Sequence, residues 1–158
     1  MQLKTSRAFS LIELVVVMVI IAVIAAIAVP RITGAAQGSG ATALRADLKA
    51  LRQAIETYRI EHEGAVPTVA DFEDQLTRFS NQAGTRFADA ANSANSVTLG
   101  PYLQSIPPLP VGDEKGATGV AAAAGAGTGW VYDETTGKII AGTAKKEKDS
   151  DGVAYQDY

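Results

Sequence analysis

From Phe9 to Val29 the chain runs for 21 residues with a single charged side chain, Glu13, and Pro30 closes the run. As a helix rising about 1.5 Å per residue, a segment of that length spans roughly 30 Å, the thickness of a bilayer's hydrocarbon core. It predicts a transmembrane helix over residues 9–29. A secretory signal peptide is the nearest alternative, but its apolar region covers about 7 to 15 residues before a small-residue cleavage site, and this run is longer. The preceding residues 1–8 are polar and carry Lys4 and Arg7, while only Arg31 follows closely. That asymmetry orients the N-terminus to the cytoplasmic side.

Glu13 is the anomaly in this segment, because a carboxylate at membrane depth costs on the order of 2.5 kcal/mol or more when unpaired. No basic side chain occurs between Phe9 and Pro30. Either Glu13 lies close enough to the interface to be solvated, or its partner comes from outside the helix or from processing. Cleavage between Ala8 and Phe9 would create such a partner, an α-amino group one helical turn before Glu13. A parallel neighbour with a small axial shift would then bring its own amine against this carboxylate.

Residues 7–14, RAFSLIEL, resemble the processing and methylation site of type IV pilins and type II secretion pseudopilins. The resemblance covers about residues 4–31. It implies removal of a leader, residues 1–8, by a prepilin peptidase, N-methylation of Phe9, and assembly guided by Glu13. Pro30 takes the place of the helix-breaking proline common in that family. One departure is Ala8, since the family usually has glycine before the cut. The resemblance further implies a single-pass protein of the bacterial inner membrane with its C-terminal part periplasmic. It would leave the lipid with the help of an inner-membrane assembly platform and join copies of itself and other pilin-like subunits in a helical filament. A type II secretion pseudopilin is favoured over a pilus pilin, major or minor, by the short C-terminal domain and the lack of cysteine. A membrane-anchored binding module that never polymerises is the competing class.

Beyond Pro30, Leu44, Leu48, Leu51, Ile55 and Tyr58 recur at spacings of four and three, the signature of an amphipathic helix. Charged residues occupy the intervening positions, with Arg52 and Glu56 spaced for an i to i+4 pair. Gly64 and Pro67 stop the pattern. One helix from about Phe9 to Glu63, weakened around Pro30 to Gly40, is the simplest reading. Its apolar half is residues 9–29 and its amphipathic continuation residues 30–63. The chain's one histidine, His62, ends the stripe and reads as a packing or capping residue.

Residues 64–158 form the remaining, globular part. Thr68, Asp71, Phe72, Leu76 and Phe79 predict a capped helix of about ten residues. Residues 80–98 read as a surface loop with a short helical turn. Four prolines make 99–112 an extended connector anchored by Tyr102, Leu103, Ile106 and Leu109. The low-complexity stretch 116–129 reads as a flexible loop without the Gly-Lys-Ser/Thr of a phosphate-binding loop. A β-hairpin follows, with Trp130 to Tyr132 and Lys138 to Ile140 around a turn at Asp133 to Gly137. A third strand near Val120 or Val153 would complete a small sheet. The expected fold is therefore α+β, a long N-terminal helix on a small antiparallel sheet, as in pilins.

In the tail, Asp149 and Asp151 precede Gly152, and Asp157 follows, as in the opening of an Asp-rich calcium loop. The bidentate glutamate of a helix-loop-helix site is missing, so a plain Asp-Gly turn is the alternative. Major pseudopilins similar to this chain often bind calcium in a C-terminal loop. A net charge of −3 gives no basic surface to grip nucleic acid. Without cysteine, thiolate nucleophiles and thiolate metal sites are excluded, and no set of nucleophile, base and orienting residue stands out, so no enzymatic activity is expected.

Overall fold

The computed structural model describes residues 10–144, 146–149 and 151–158, with side chains described for all of these except 27–38. Helix α1, Leu11–Glu61, is a single helix of 51 residues. The chain divides into two compact units, Met1–Ala36 and Gln37–Tyr158. The expected weakening around Pro30 to Gly40 falls mostly on residues whose side chains lie outside the description; the backbone there is helical. Glu63 and Gly64 turn left-handed (φ 58° and 91°) and end the helical path, with the Gly64 N–H donating to the Arg59 carbonyl at 2.8 Å.

In the second unit the stripe of α1 is buried as its spacing requires: Leu44, Leu48, Leu51, Ile55 and Tyr58, joined by Ala41 and Ala54. It packs against Phe72 and Leu76, against Ile106, Leu109 and Val111 of the proline-rich connector, and against Trp130, Tyr132, Ile139 and Ala141. The i to i+4 pair of Arg52 with Glu56 does not form. Glu56 instead meets Arg59 at 3.5 Å, while Arg52 donates to the carbonyls of Ile139 and Tyr158. An exposed helical ion pair stabilises by only a few tenths of a kcal/mol, so a hydrogen bond from a charged donor to a tertiary carbonyl outweighs it.

Helix α2, Phe72–Thr77, is shorter than expected. It stops because Arg78 turns to an extended conformation and Phe79 begins a strand. Its Leu76 carbonyl accepts from both the Tyr102 and Leu103 N–H at 2.9 Å, which ties the connector to it. The supposed loop 80–98 contains strands: β1, Phe79–Asn81, β2, Phe87–Ala88, and β3, Val97–Leu99, form an antiparallel sheet in the order β2-β1-β3. A 3₁₀ turn at Ser93–Asn95 supplies the expected helical turn. Strands of two or three residues are too short for alternation to reveal.

The hairpin stands where the sequence places it, as β5, Thr128–Asp133, and β6, Lys138–Ala141. Trp130 pairs with Ala141 and Tyr132 with Ile139, so each large ring faces a smaller partner on the core side of the sheet. Trp130 donates from Nε1 to the Pro107 carbonyl at 2.8 Å, which fixes the connector over the sheet. The third strand is β4, Gly119–Ala121, near Val120, and it runs parallel to β5, so this second sheet is mixed rather than antiparallel. The stretch 116–129 is thus partly ordered. Its glycines serve close backbone approach: a Cβ on Gly129 would strike the Ala117 carbonyl, and one on Gly142 the Thr128 carbonyl. The fold is α+β, with a long N-terminal helix and two small three-stranded sheets.

At the hairpin turn, Asp133 accepts from the N–H and hydroxyl of Thr135 and from the hydroxyl of Thr136. These bonds, that of the Thr135 hydroxyl foremost, lower the Asp133 carboxyl from 3.8 to about 2. A depressed carboxyl adds stability above its ordinary value, and that stability is lost as pH falls through the folded value. Unfolding midpoints measured down from about pH 5 should decline between about 4 and 2, and Asp133→Asn should flatten that decline. In the core, Leu48→Ala should destabilise by about 2–5 kcal/mol in urea unfolding followed by the fluorescence of Trp130, the single tryptophan.

Candidate assembly site

Ala8 and Phe9 lie outside the described residues, as does the side chain of Pro30. Among the predicted N-terminal site residues, Glu13 is described in full. It sits in the first turn of α1, and its Oε2 accepts the backbone N–H of Ser10 at 3.2 Å. Ser10 immediately precedes the helix, and its carbonyl accepts the Leu14 N–H at 3.3 Å. Ser10 and Glu13 therefore match the spacing of a capping box, in which the third helical residue reaches back to the N-cap amide. The SLIE sequence itself carries that signal, and sequence reasoning directed at charge overlooked it.

The consequence is electrostatic as well as local. The carboxylate lies at the positive end of the helix dipole, where a negative charge is stabilised. Glu13 thus finds a neutral partner one turn back in its own chain. Its negative charge remains, held toward the end of the helix nearest to Phe9 in sequence. Backbone helicity continues through residue 30, so Pro30 does not terminate α1, although proline has no N–H to give the carbonyl four residues back.

Around this end of α1, the large apolar side chains from Leu11 to Ile24 are between 46% and 80% exposed. Eight consecutive positions, Leu14 to Ile21, are exposed, which takes in every side of a helix with 3.6 residues per turn. A helix apolar on all sides belongs in an apolar surround. Among the described residues no helix is long and apolar enough to cross a membrane.

Of the three C-terminal aspartates named in the sequence, one is engaged within the chain and two are exposed. Asp149 is buried, and its Oδ1 accepts the N–H groups of Asp151 and Val153, each at 2.9 Å. Its Oδ2 accepts the Tyr158 hydroxyl, and Arg45 stands 3.9 Å away. The Tyr158 hydroxyl foremost, then the two amides and Arg45, hold the Asp149 carboxyl below the usual range against the opposing effect of burial. Asp151 and Asp157 are exposed. Among the described residues no three His, Cys, Asp or Glu side chains are grouped to hold a metal ion. The Asp149 carboxylate, bonded to the amides of Asp151 and Val153, closes an Asp-Gly turn at Gly152.

That turn belongs to a latch that sequence reasoning missed. Arg45 donates to the Tyr158 hydroxyl at 2.9 Å and lies 4.5 Å from its ring centre, while Arg52 donates to the Tyr158 carbonyl at 2.7 Å. Arg45 and Arg52 are seven residues apart, two helical turns, so one face of α1 holds the tail at two heights. His62 is buried and stacks on Tyr58 with 3.8 Å between ring centres. Its Nδ1 lies 2.9 Å from the Gln82 carbonyl and its Nε2 3.3 Å from the hydroxyl of the fully buried Ser80. A carbonyl only accepts, so Nδ1 carries the proton and donates, and the ring ties the turn after α1 to β1.

Comparison with known proteins adds one finding at the N-terminus: the prokaryotic N-terminal methylation motif matches residues 3–29. No curated protein and no solved structure matches the chain. The matched span contains Ala8, Phe9 and Glu13 and ends at Val29, the last residue of the apolar run. The chain therefore carries the prokaryotic N-terminal methylation motif of type IV pilin-like proteins.

Proposed function

We propose that this chain is a structural subunit of a type IV pilus-like filament, a pseudopilin of a type II secretion system. In this reading a prepilin peptidase cuts between Ala8 and Phe9 on the cytoplasmic face of the inner membrane and Phe9 is methylated. The segment 9–29 holds the subunit in the lipid until an assembly platform transfers it into a filament of like subunits. The observation that carries the reading is the methylation motif at residues 3–29 together with large apolar side chains from Leu11 to Ile24 that are exposed all round the helix. Lipid covers such a surface before assembly, and neighbouring helices cover it afterwards. The absence of cysteine supports a secretion pseudopilin over a disulfide-looped pilus subunit.

Glu13 gives the assembly step its specificity. Apolar contacts between parallel helices are nearly indifferent to axial register, whereas a carboxylate facing a neighbour's methylated Phe9 amine selects one shift. The capping bond to Ser10 leaves lone pairs free for this second partner.

Mass spectrometry of the mature chain is expected to find methylated Phe9 at the N-terminus. A chain retaining Met1 and isolated as a monomer would sink the filament reading in favour of a plain anchor. Glu13→Ala and Glu13→Gln should both insert into the membrane yet lower filament incorporation by about tenfold or more, as the loss of a charge pair costing at least about 1.4 kcal/mol requires. Glutamine keeps a capping oxygen for Ser10, so normal filaments from Glu13→Gln would assign the residue to helix capping alone.

A further inference from the structure

The turn before β6 and the segment after it border two hollows of opposite charge. At the Lys138 end, a cavity of about 270 Å³ is lined by Arg52, Arg59 and Lys138 over the apolar floor of Ile55, Val66 and Ile139. One carboxylate, Glu56, lies among these three cations and is paired with Arg59. Among the described residues no hydrogen bond or ion pair engages the Lys138 ammonium. Beyond the other end of β6, a cavity of about 310 Å³ is lined by Asp113, Glu114 and Glu147 together with Gly142 and Ala144, and among the described residues no cation lines it. Lys115 and Lys146 are near in sequence but do not line the hollow, and Lys145 lies outside the described residues.

The acidic hollow is held in shape. Glu147 accepts the N–H groups of Asp113 and Ala144, and Glu114 accepts that of Gly127. The Asp113 carboxylate is exposed and has no described partner. The two hollows meet β6 from opposite ends, Lys138 and Gly142 being four residues apart, about 13 Å at strand spacing.

We propose that the Lys138 hollow of one copy receives the acidic hollow of the next, so that the globular parts join head to tail. A complementary pair of patches on separate parts of one subunit makes a heterologous contact, which propagates instead of closing into a two-fold dimer. This inference rests on the filament reading and assigns its outer contact. The partner is another copy because the chain itself carries both signs of the match. Exposed charges interact weakly and are screened by salt, so their task is orientation and register of the incoming subunit.

The test uses the full-length chain, which has no cysteine, expressed with its own processing and assembly proteins. Copies carrying Lys138→Cys are mixed with copies carrying Asp113→Cys and oxidised. The mixed population should give disulfide dimers at about tenfold or more over either population alone. The doubly substituted chain should give a ladder. Independently, Lys138→Glu should lower the assembled fraction several-fold, and adding Asp113→Lys in the same chain should restore it. Filaments that form without the mixed disulfide, or equal dimers in the single populations, would overturn this contact and leave the filament reading standing. A wild-type chain that never enters a filament would overturn both.

Discussion

The stripe of Leu44, Leu48, Leu51, Ile55 and Tyr58 has to be covered, and the C-terminal unit is organised around covering it. A helix face of this kind supplies a long rigid surface whose backbone bonds are already satisfied internally, so the segments laid on it need little regular structure of their own. That explains how strands of two and three residues persist here. A short hairpin is marginal in water, but β5 and β6 present Trp130, Tyr132, Ile139 and Ala141 to the stripe and share its burial. The proline-rich connector contributes Ile106, Leu109 and Val111 to the same core and borrows its hydrogen bonds from Leu76 and Trp130. The tail is held to α1 by Arg45 and Arg52.

At the other end of α1 the governing constraint is a charge without a cationic partner in its own apolar segment. The Ser10 bond changes how that charge should be understood. An amide donor and the helix dipole both stabilise a carboxylate there, so Glu13 is tolerable before any neighbour arrives. An amide does not neutralise it, however, and the remaining negative charge is what a cationic amine can recognise. In the proposed filament, capping and recognition would be successive uses of one side chain. The first holds the carboxylate at the helix terminus, and the second depends on its being there.

The helical features were legible because they repeat. A 21-residue run that is apolar except for Ser10 and Glu13, and then five apolar residues at spacings of four and three, leave no competing period, and α1 follows both. The β5–β6 hairpin was legible for a similar reason, with alternating residues around an Asp-to-Gly turn. What stayed hidden depends on contacts between distant residues. Strands β1 to β3 are too short for alternation to show, and their pairing is set by the helix ends and turns that bring them together. The parallel β4 lies in a stretch of alanine and glycine whose composition signals flexibility, while its role is to let backbones approach. In the tail, the sequence shows alternating aspartates but not that the Tyr158 hydroxyl and the amides of Asp151 and Val153 bond to the first of them. Composition counts the carboxylates and cannot show which of them are already engaged.

A subunit that assembles through apolar helices faces a problem of order, because hydrophobic contact rewards area and is insensitive to direction. Two helices slid by one turn bury almost the same surface. Charges resolve this, since their energy changes sign when like meets like, and a misaligned neighbour is penalised rather than merely unrewarded. In the filament proposed above, one such selector at Glu13 would set a shift along the helix but leave rotation about the helix axis free. A second selector on the globular part would restrict that rotation. Cations beside the start of β6 and carboxylates beyond its end are suited to that role because they sit on the globular part and differ in sign along one direction. Affinity from the apolar helix and geometry from two sparse sets of charges are then separate properties, each able to vary without destroying the other.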